Sequence, residues 1–577
     1  MFIIRRIYDD CLPADRVALE QVRKILKAQF AGIPPRDIEG LGDRLRNPFK
    51  LGFRSVLLVA EKSHKEVMGF ALLLHEPVLH FLYLDYIAAA TGKTSGGIGG
   101  ALYESVRDEA LALGCRAVFF ECLPDDQASV SPEKYAANSA RLRFYERYGA
   151  RPMVGTAYET PVSDRDHSAA PFLVVDPLDH LEPLQRKWVR NVVRSILQSK
   201  YAYLCTPEYT EKVIRSIQDD PIKLRDYRYY KSVPSHRLAQ PRKERAALVI
   251  NDRHQIHHIR ERGYVEAPVR ISRILSALEP LDLFETKRPR ERSLNNITAV
   301  HDPALVSYLK KACEEVGEGR SLYPYIFPIR NRARLPKERS ILAGYYCIDT
   351  FTPIHRNAFR AAKRAVDCTL TAADEILEGR RVAYSLVRPP GHHAERDCFG
   401  GFCYFNNAAV AAHYMSGFGK VAILDVDYHH GNGQQEIFYS RSDILTVSLH
   451  GHPKFAYPYF SGFEEEEGEG AGEGFNVNFP LPESLEGKGY RRTLRKALAS
   501  IGSFCPAFLI VALGFDPAKG DPTGTWKLNS EDFRWNGRLI GELGFRILVV
   551  QEGGYRSQSL GANARSFFLG LLESMPR

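Results

Sequence analysis

No two of the ten cysteines stand as Cys-x-x-Cys, and none are crowded as in a secreted disulfide scaffold, so reduced and mostly buried thiols are expected. No stretch reaches the roughly 18 uninterrupted apolar residues that span a membrane. The opening Met1-Phe2-Ile3-Ile4-Arg5-Arg6 has too short an apolar run for a signal peptide, and the cytosol is the expected compartment. The formal net charge of +9 is modest for the length and is not gathered into a tract, which argues against nucleic acid and membrane partners. It still leaves a surface hospitable to acidic small molecules. What is present is the composition of a soluble globular protein, 44% apolar and 11% aromatic. At 577 residues the chain exceeds what one core usually supports, so two or three domains are expected.

Four short apolar runs end in polar, chemistry-bearing loops. Val382 to Val387 leads into Arg388-Pro389-Pro390-Gly391-His392-His393, and Val421 to Val426 into Asp427-Tyr428-His429-His430-Gly431-Asn432-Gly433. Phe508 to Leu513 leads into Gly514-Phe515-Asp516, and Ile547 to Val550 into Glu552-Gly553-Gly554-Tyr555. Runs without alternation read as strands buried on both faces, hence a parallel sheet with helices between, and ligands of such sheets bind at the carboxyl ends of the strands.

Asp427 and His429 are two apart at a strand end, so their side chains share a face, and Asp516 arrives from another strand. Two carboxylates and one imidazole make a three-ligand set that leaves positions open for water and substrate, as catalytic zinc requires. A binuclear manganese site of the arginase kind needs further aspartates where the chain has Gly431 and Ala518, and is excluded.

With these loops, Phe399-Gly400-Gly401-Phe402-Cys403, Asn406-Asn407, Ser448-Leu449-His450-Gly451 and Gly344-Tyr345-Tyr346-Cys347 complete an ordered set. The region resembles the zinc-dependent deacetylases of the arginase/deacetylase fold, and within them the acetylpolyamine amidohydrolases. The resemblance implies zinc on Asp427, His429 and Asp516, with His392 oriented by Asp425, His393 as general base, and Tyr555 donating to the oxyanion. Asn432 stands where some relatives have an aspartate paired with the second histidine; His393 is then less basic, which suits a base that must be neutral near pH 7. The resemblance also implies a monovalent-cation site around Asp425, Asp427, His429, Ser448 and Leu449, with potassium its candidate occupant. Gly401, Phe402 and Tyr457 would wall a tunnel for a slim aliphatic amide. Leu322 to Arg339 matches an insertion that narrows the entrance across a homodimer in such relatives. Cys403 is read as packing, and His254, His257 and His258 as surface residues. The acidic run Glu464 to Glu473 is read as a flexible solvated loop, or alternatively as an attractor of polycations.

Earlier in the chain, residues 1–164 alternate strand-like and helix-like segments. The turn Thr94-Ser95-Gly96-Gly97-Ile98-Gly99-Gly100 precedes a helix, where backbone amides can approach a pyrophosphate. With Asn138 and the later Phe144-Tyr145-Glu146-Arg147-Tyr148, this block resembles the GNAT family of acyl-coenzyme A transferases. The resemblance implies acetyl-CoA on Gly97, Gly99, Gly100 and Asn138, with Tyr145 as a proton donor to the departing thiolate. Residues 165–245 are expected to be a connector, in part helical and available for subunit contact. Its basic, tyrosine-bearing segment Lys223 to Lys231 is read as a solvated face rather than a nucleic-acid surface.

The fold class expected is α/β: a GNAT-like α+β domain, then an arginase/deacetylase-fold domain at 246–577 with a parallel sheet. The expected function is hydrolysis of acetylated small amines with release of acetate, fused to a GNAT-like N-acetyltransferase domain. Protein or histone lysine deacetylation is the alternative, and a silent acetyl-amine binding module the third reading.

Overall fold

The computed structural model describes residues 2–8, 10, 13–30, 33–46, 52–62, 66–90, 97–126, 132–158, 170–178, 182–231, 245–261, 263–328 and 334–575. The chain divides into two compact units, Met1–Arg242 and Lys243–Arg577.

In the first unit, strand residues alternate between two helical layers. Val56, Leu58, Ala71 and Leu73 face the helix Ile98–Ala112 through Tyr103 and Val106. Their neighbours Leu57, Val59, Phe70 and Leu72 face the helix Pro13–Gln29 through Leu19 and Val22. The strands are β1 (Phe2–Ile7), β2 (Arg54–Lys62), β3 (Val67–Glu76), β4 (Phe81–Ala89), β5 (Ala117–Cys122), β6 (Arg151–Pro152) and β7 (Phe172–Asp176). They form one sheet in the order β1-β2-β3-β4-β5-β7-β6. The only parallel pairing among them joins β4 to β5, from Phe81↔Ala117 to Tyr83↔Phe119.

The expected connector at 165–245 is largely built into this unit. β7 lies between β5 and β6, and the helices Arg186–Ser195 and Pro207–Ser216 pack Val189, Val192, Val193 and Val213 against Phe81 and Phe119. At the end of β7, the buried Asp176 accepts from Arg107 Nη1 at 2.7 Å and from the Tyr103 hydroxyl at 2.8 Å, which ties the strand to the helix Ile98–Ala112. The tyrosine-bearing segment keeps a solvated face, with Lys223, Asp226, Tyr227, Arg228 and Lys231 exposed, and is also fastened to the unit. Arg225 and the Tyr229 hydroxyl both reach the Asp125 carboxylate at 2.6 Å. Pro241 to Glu244 lie outside the described residues.

The second unit is organised on an eight-stranded sheet whose neighbours all pair in parallel. Its strands are β8 (Ala246–Ile250), β9 (Phe284–Lys287), β12 (Val382–Leu386), β13 (Val421–Asp425), β14 (Ile444–Gly451), β15 (Asn476–Leu481), β16 (Phe508–Leu513) and β17 (Arg546–Gln551). A separate two-stranded ribbon pairs β10 (Ser321–Leu322) with β11 (Ile354–His355). The order in the large sheet is β15-β14-β13-β16-β17-β12-β8-β9. The four strands that end in polar loops are thus four successive neighbours at its centre. Each is covered on both faces: Tyr384 joins the core under the helix Ser557–Ser574, while the adjacent Ser385 turns the other way, its hydroxyl 2.8 Å from Thr369 on the helix Ala358–Leu377.

No helix among the described residues is long and apolar enough to cross a membrane.

Candidate active site

Because every strand of the large sheet runs the same way, the loops after β12, β13, β16 and β17 emerge at one edge, and their side chains converge. One oxygen each of Asp427 and Asp516 and one ring nitrogen of His429 lie within 4.8 Å of one another. His429 Nδ1 is 3.2 Å from Asp427 Oδ1 and 3.0 Å from Asp516 Oδ2. Backbone donors hold the carboxylates: Gly553 N–H to Asp427 Oδ2 at 2.8 Å, and Tyr428 N–H to Asp516 Oδ1 at 2.9 Å. Position 553 admits only glycine, because a Cβ there would come 2.6 Å from both carboxylates. Burial, with the Asp427 carboxylate alongside, pushes Asp516 up to about 8. Two carboxylates this close cannot both stay charged without a cation between them, so the donor set fits a divalent metal ion.

The two loop histidines face different partners. His392 Nδ1 lies 3.0 Å from Asp425 Oδ2; burial opposes its charge, yet Asp427 and Asp425 raise it to about 10. His393 Nδ1 lies 2.7 Å from Asn432 Oδ1, and burial together with His392 and His429 holds this ring well below the ordinary imidazole range. Glu552 fastens the histidine loop to the tyrosine loop, accepting the Gly391 and His392 N–H groups at 2.7 and 3.1 Å. Of the residues expected around a monovalent cation, Asp425 and Ser448 are register partners on β13 and β14. The Ser448 hydroxyl lies 2.8 Å from His450 Nδ1.

Phe402 and Tyr457 lie beside the site: Phe402 has its ring centroid 5.6 Å from Tyr555, and Tyr457 lies 4.7 Å from the His393 ring. Cys403 is fully buried, in keeping with packing.

Several residues not singled out in the sequence complete the surroundings. Tyr264 and Phe351 stand edge-on to Phe402 at 5.2 and 5.6 Å. The buried Asp349 accepts from Gly401 N–H at 2.5 Å, from the Tyr457 hydroxyl at 3.1 Å and from the Thr352 hydroxyl at 3.1 Å. Behind Tyr555, the Arg270 guanidinium lies 4.8 Å from the ring and its Nε donates to Gly554 O at 2.7 Å. Glu266 pairs with Arg270 at 3.2 Å and with Arg388 at 2.7 and 2.6 Å, joining the roots of the tyrosine and histidine loops.

Two surroundings differ from expectation. His257 is buried, not superficial: its Nδ1 meets His355 Nε2 at 2.5 Å and its Nε2 lies 3.6 Å from Glu266, while His254 is half-buried and His258 exposed. The acidic run is not simply a solvated loop, since Glu466 accepts from Gly462 N–H and Gln435 Nε2, both at 2.7 Å. In the 322–339 insertion, 329–333 lie outside the described residues; Tyr325 is 84% exposed and its N–H donates to Ser340 O.

In the first unit, Thr94, Ser95 and Gly96 lie outside the described residues. Gly97 caps the helix Ile98–Ala112 in the left-handed region, at φ 71°, and a Cβ on Gly97 or Gly99 would meet open space. A Cβ on Gly100 would lie 3.5 Å from the Tyr148 hydroxyl. Asn138 is buried and donates to Pro124 O at 2.9 Å, tying the helix Pro132–Glu146 to the segment after β5. Tyr145 packs on Tyr103 and Phe120 at 4.9 and 4.4 Å, and burial raises its hydroxyl above the usual phenol range, so it stays protonated.

The histone deacetylase domain family model matches residues 264–571, and the acetyltransferase (GNAT) family model matches residues 19–150. The chain is 38% identical over 335 residues to acetylpolyamine amidohydrolase 2 of Pseudomonas aeruginosa, covering 56% of this chain and 97% of that protein. It is 38% identical over 312 residues to the acetylpolyamine amidohydrolase of Mycoplana ramosa, covering 53% of this chain and 92% of that protein. The crystal structure of acetylpolyamine aminohydrolase from Burkholderia pseudomallei superimposes with a TM-score of 0.55 at 36% identity, covering 57% of this chain and all of that one. The chain belongs to the histone deacetylase family, and carries a GNAT acetyltransferase domain ahead of its deacetylase domain.

Proposed function

We propose that the second unit is a zinc-dependent amidohydrolase that removes acetyl groups from acetylated small amines, the substrates for which its similar proteins are named. The observation that carries this reading is the three-ligand cluster Asp427, His429 and Asp516 beside a neutral His393 and below an aromatic wall of Phe402 and Tyr457. Those three residues would hold zinc, whose chemistry there is to polarise the amide carbonyl and bring a water's pKa toward about 7.

The chain's own groups do the rest. His393 takes the proton of the attacking water, a contribution of about 10²- to 10⁴-fold for a well-placed base. Tyr555 donates to the oxygen on which charge develops; losing such a donor costs about 10²- to 10³-fold. His392, held by Asp425, keeps positive potential beside that charge. The His393 imidazolium then protonates the leaving amine as the carbon–nitrogen bond breaks, and acetate departs. Asp425, Asp427, His429, Ser448 and Leu449 are further proposed to place main-chain and side-chain oxygens around potassium. A homodimer is proposed to close the entrance at the 322–339 insertion.

For the first unit we propose acetyl transfer from acetyl-CoA, with the coenzyme at the helix start carrying Gly97, Gly99 and Gly100, near Asn138, and with Tyr145 as the protonated donor to the thiolate. Its acetylated product would then be a substrate of the second unit.

Acetate release by the zinc-loaded protein should be measured across acetylated diamines and polyamines, acetyl-lysine and acetyl-lysine peptides, with Tyr555→Phe as control. Turnover of the small amines but not the peptides is expected. Peptides turned over at comparable rates would replace this reading with protein deacetylation, and no release from any of them would replace it with a binding module.

A further inference from the structure

His393 has the Asn432 side-chain oxygen 2.7 Å from its Nδ1. An amide has a donor end and an acceptor end, and the end that faces an imidazole decides which ring nitrogen carries the proton. Here two acceptors make the choice. The Asn432 amino group lies 2.8 Å from Glu395 Oε1 and 3.3 Å from the His393 main-chain carbonyl. Turning the amide over would press its oxygen against a carboxylate and a carbonyl together. The Glu395 bond is the shorter of the two and its acceptor is ionised, which makes it roughly twice as strong as a neutral one.

Glu395 is held in place by its backbone. Its N–H donates to Cys398 O at 2.9 Å, and its carbonyl lies 2.7 Å from His301 Nδ1. The other nitrogen of His301 accepts the Asn406 N–H at 2.9 Å, so the Nδ1 proton of that neutral ring belongs to the Glu395 carbonyl. The buried His301 thus anchors the residue whose carboxylate sets Asn432.

We propose that Glu395 is a positioning residue for deacetylation: its carboxylate fixes the Asn432 amide, the amide oxygen receives the Nδ1 proton of His393, and Nε2 is left as the bare nitrogen that accepts a proton. The proposal rests on His393 acting as the base. It makes 395 and 432 a matched pair, because a carboxylate at 395 requires an amide, not a second carboxylate, between itself and the imidazole.

The test uses the zinc-loaded full chain and a complementary exchange. Glu395→Leu removes the acceptor and is expected to lower kcat about 10-fold at nearly constant KM, while Glu395→Gln, which can still offer an oxygen, stays within about 3-fold of the parent. Asn432→Asp sets two carboxylates against each other and is expected to lose about 30-fold in kcat. Adding Glu395→Gln to Asn432→Asp restores a donor facing an acceptor and should recover at least about 10-fold of that loss. Nitrogen-15 spectra of histidine-labelled protein, assigned with His393→Asn, should show Nδ1 protonated in the parent and a mixture of tautomers in Glu395→Leu. Failure of the double variant to recover, or an unchanged His393 tautomer in Glu395→Leu, would overturn the proposal. Failure of the base assignment itself shows separately, as acetate release retained in His393→Asn.

Discussion

Arg270 lies with its guanidinium 4.8 Å from the ring of Tyr555 and binds the main chain on both sides of Gly553, donating to Gly554 O and to Glu552 O. The turn that presents the proposed oxyanion donor is therefore shaped from behind by a buried cation. Replacing Arg270 with methionine keeps the length but removes both main-chain donors and one of the two guanidinium groups that pair with Glu266. Leaving a buried acceptor without its donor costs about 1–3 kcal/mol. Thermal unfolding should show the loss in the second unit, and kcat for acetate release should fall at least about 10-fold because Tyr555 is no longer held.

Glu266 carries a pH signature. Burial disfavours its charge, but the Arg388 and Arg270 guanidinium groups outweigh burial and hold it at about 2, against an ordinary value of 4.5. A carboxyl depressed by folding adds stability that is complete above 4.5 and is lost as pH falls toward 2. Melting temperatures taken from pH 7 down to pH 2 should therefore show the gap between the parent and Glu266→Gln constant above about pH 4.5 and closing below it. A gap that stays constant through that window would mean that Glu266 is not charged in the fold.

These two residues also mark the limit of what could be read from the sequence. The four site loops were legible because each follows an apolar run that had to be a buried strand, so the polar residues after it had to be at a strand end. Their order across the sheet, β13-β16-β17-β12, was not legible, since nothing local records which buried strands are neighbours. Glu266 and Asp349 sit in segments with no periodicity and Arg270 is a charge on the buried face of the helix Val269–Leu278, and each acts on a partner far along the chain: Glu266 on Arg388, Arg270 on the Tyr555 turn, Asp349 on Gly401 and Tyr457. The burial of His257 has the same origin, because a histidine in a polar stretch is enclosed only once Glu266, Arg388 and His355 are in place. In the first unit, β7 is only five residues long and Thr160 to Ala169 before it carry no pattern, so the strand completing the sheet read as part of a connector.

Asp349 links Gly401 to Tyr457. Asparagine at this position offers one oxygen and turns an amino group toward groups that are themselves donors, Gly401 N–H and the Tyr457 hydroxyl on one side or Phe351 N–H on the other. Leaving such groups unsatisfied costs about 1–3 kcal/mol. Steady-state kinetics of Asp349→Asn should show KM raised about 10-fold with a smaller change in kcat, since substrate placement rather than bond breaking is disturbed. Tyr457→Phe, which removes one hydroxyl and keeps the wall, should change KM by less than about 3-fold.

Removal of the metal tests the ligand set directly. Dialysis against a chelator should abolish acetate release and lower the melting temperature of the second unit, and zinc should restore both. A ligand at about 100 times its dissociation constant adds about 2.7 kcal/mol to the folded state. Asp516→Asn should show neither the recovery of activity nor the full thermal shift, because the site then has one carboxylate and one imidazole.

Glu466 binds the backbone of Gly462, the Gln435 side chain and, through its main-chain oxygen, Asn476 on the edge strand β15. Gly462 follows the exposed Tyr459 and Phe460. The segment that follows Tyr457 is therefore clamped to the border of the sheet, and its placement is governed from the edge strand β15. Under the proposed function, substitutions in β15 should act at a distance on which amines are accepted.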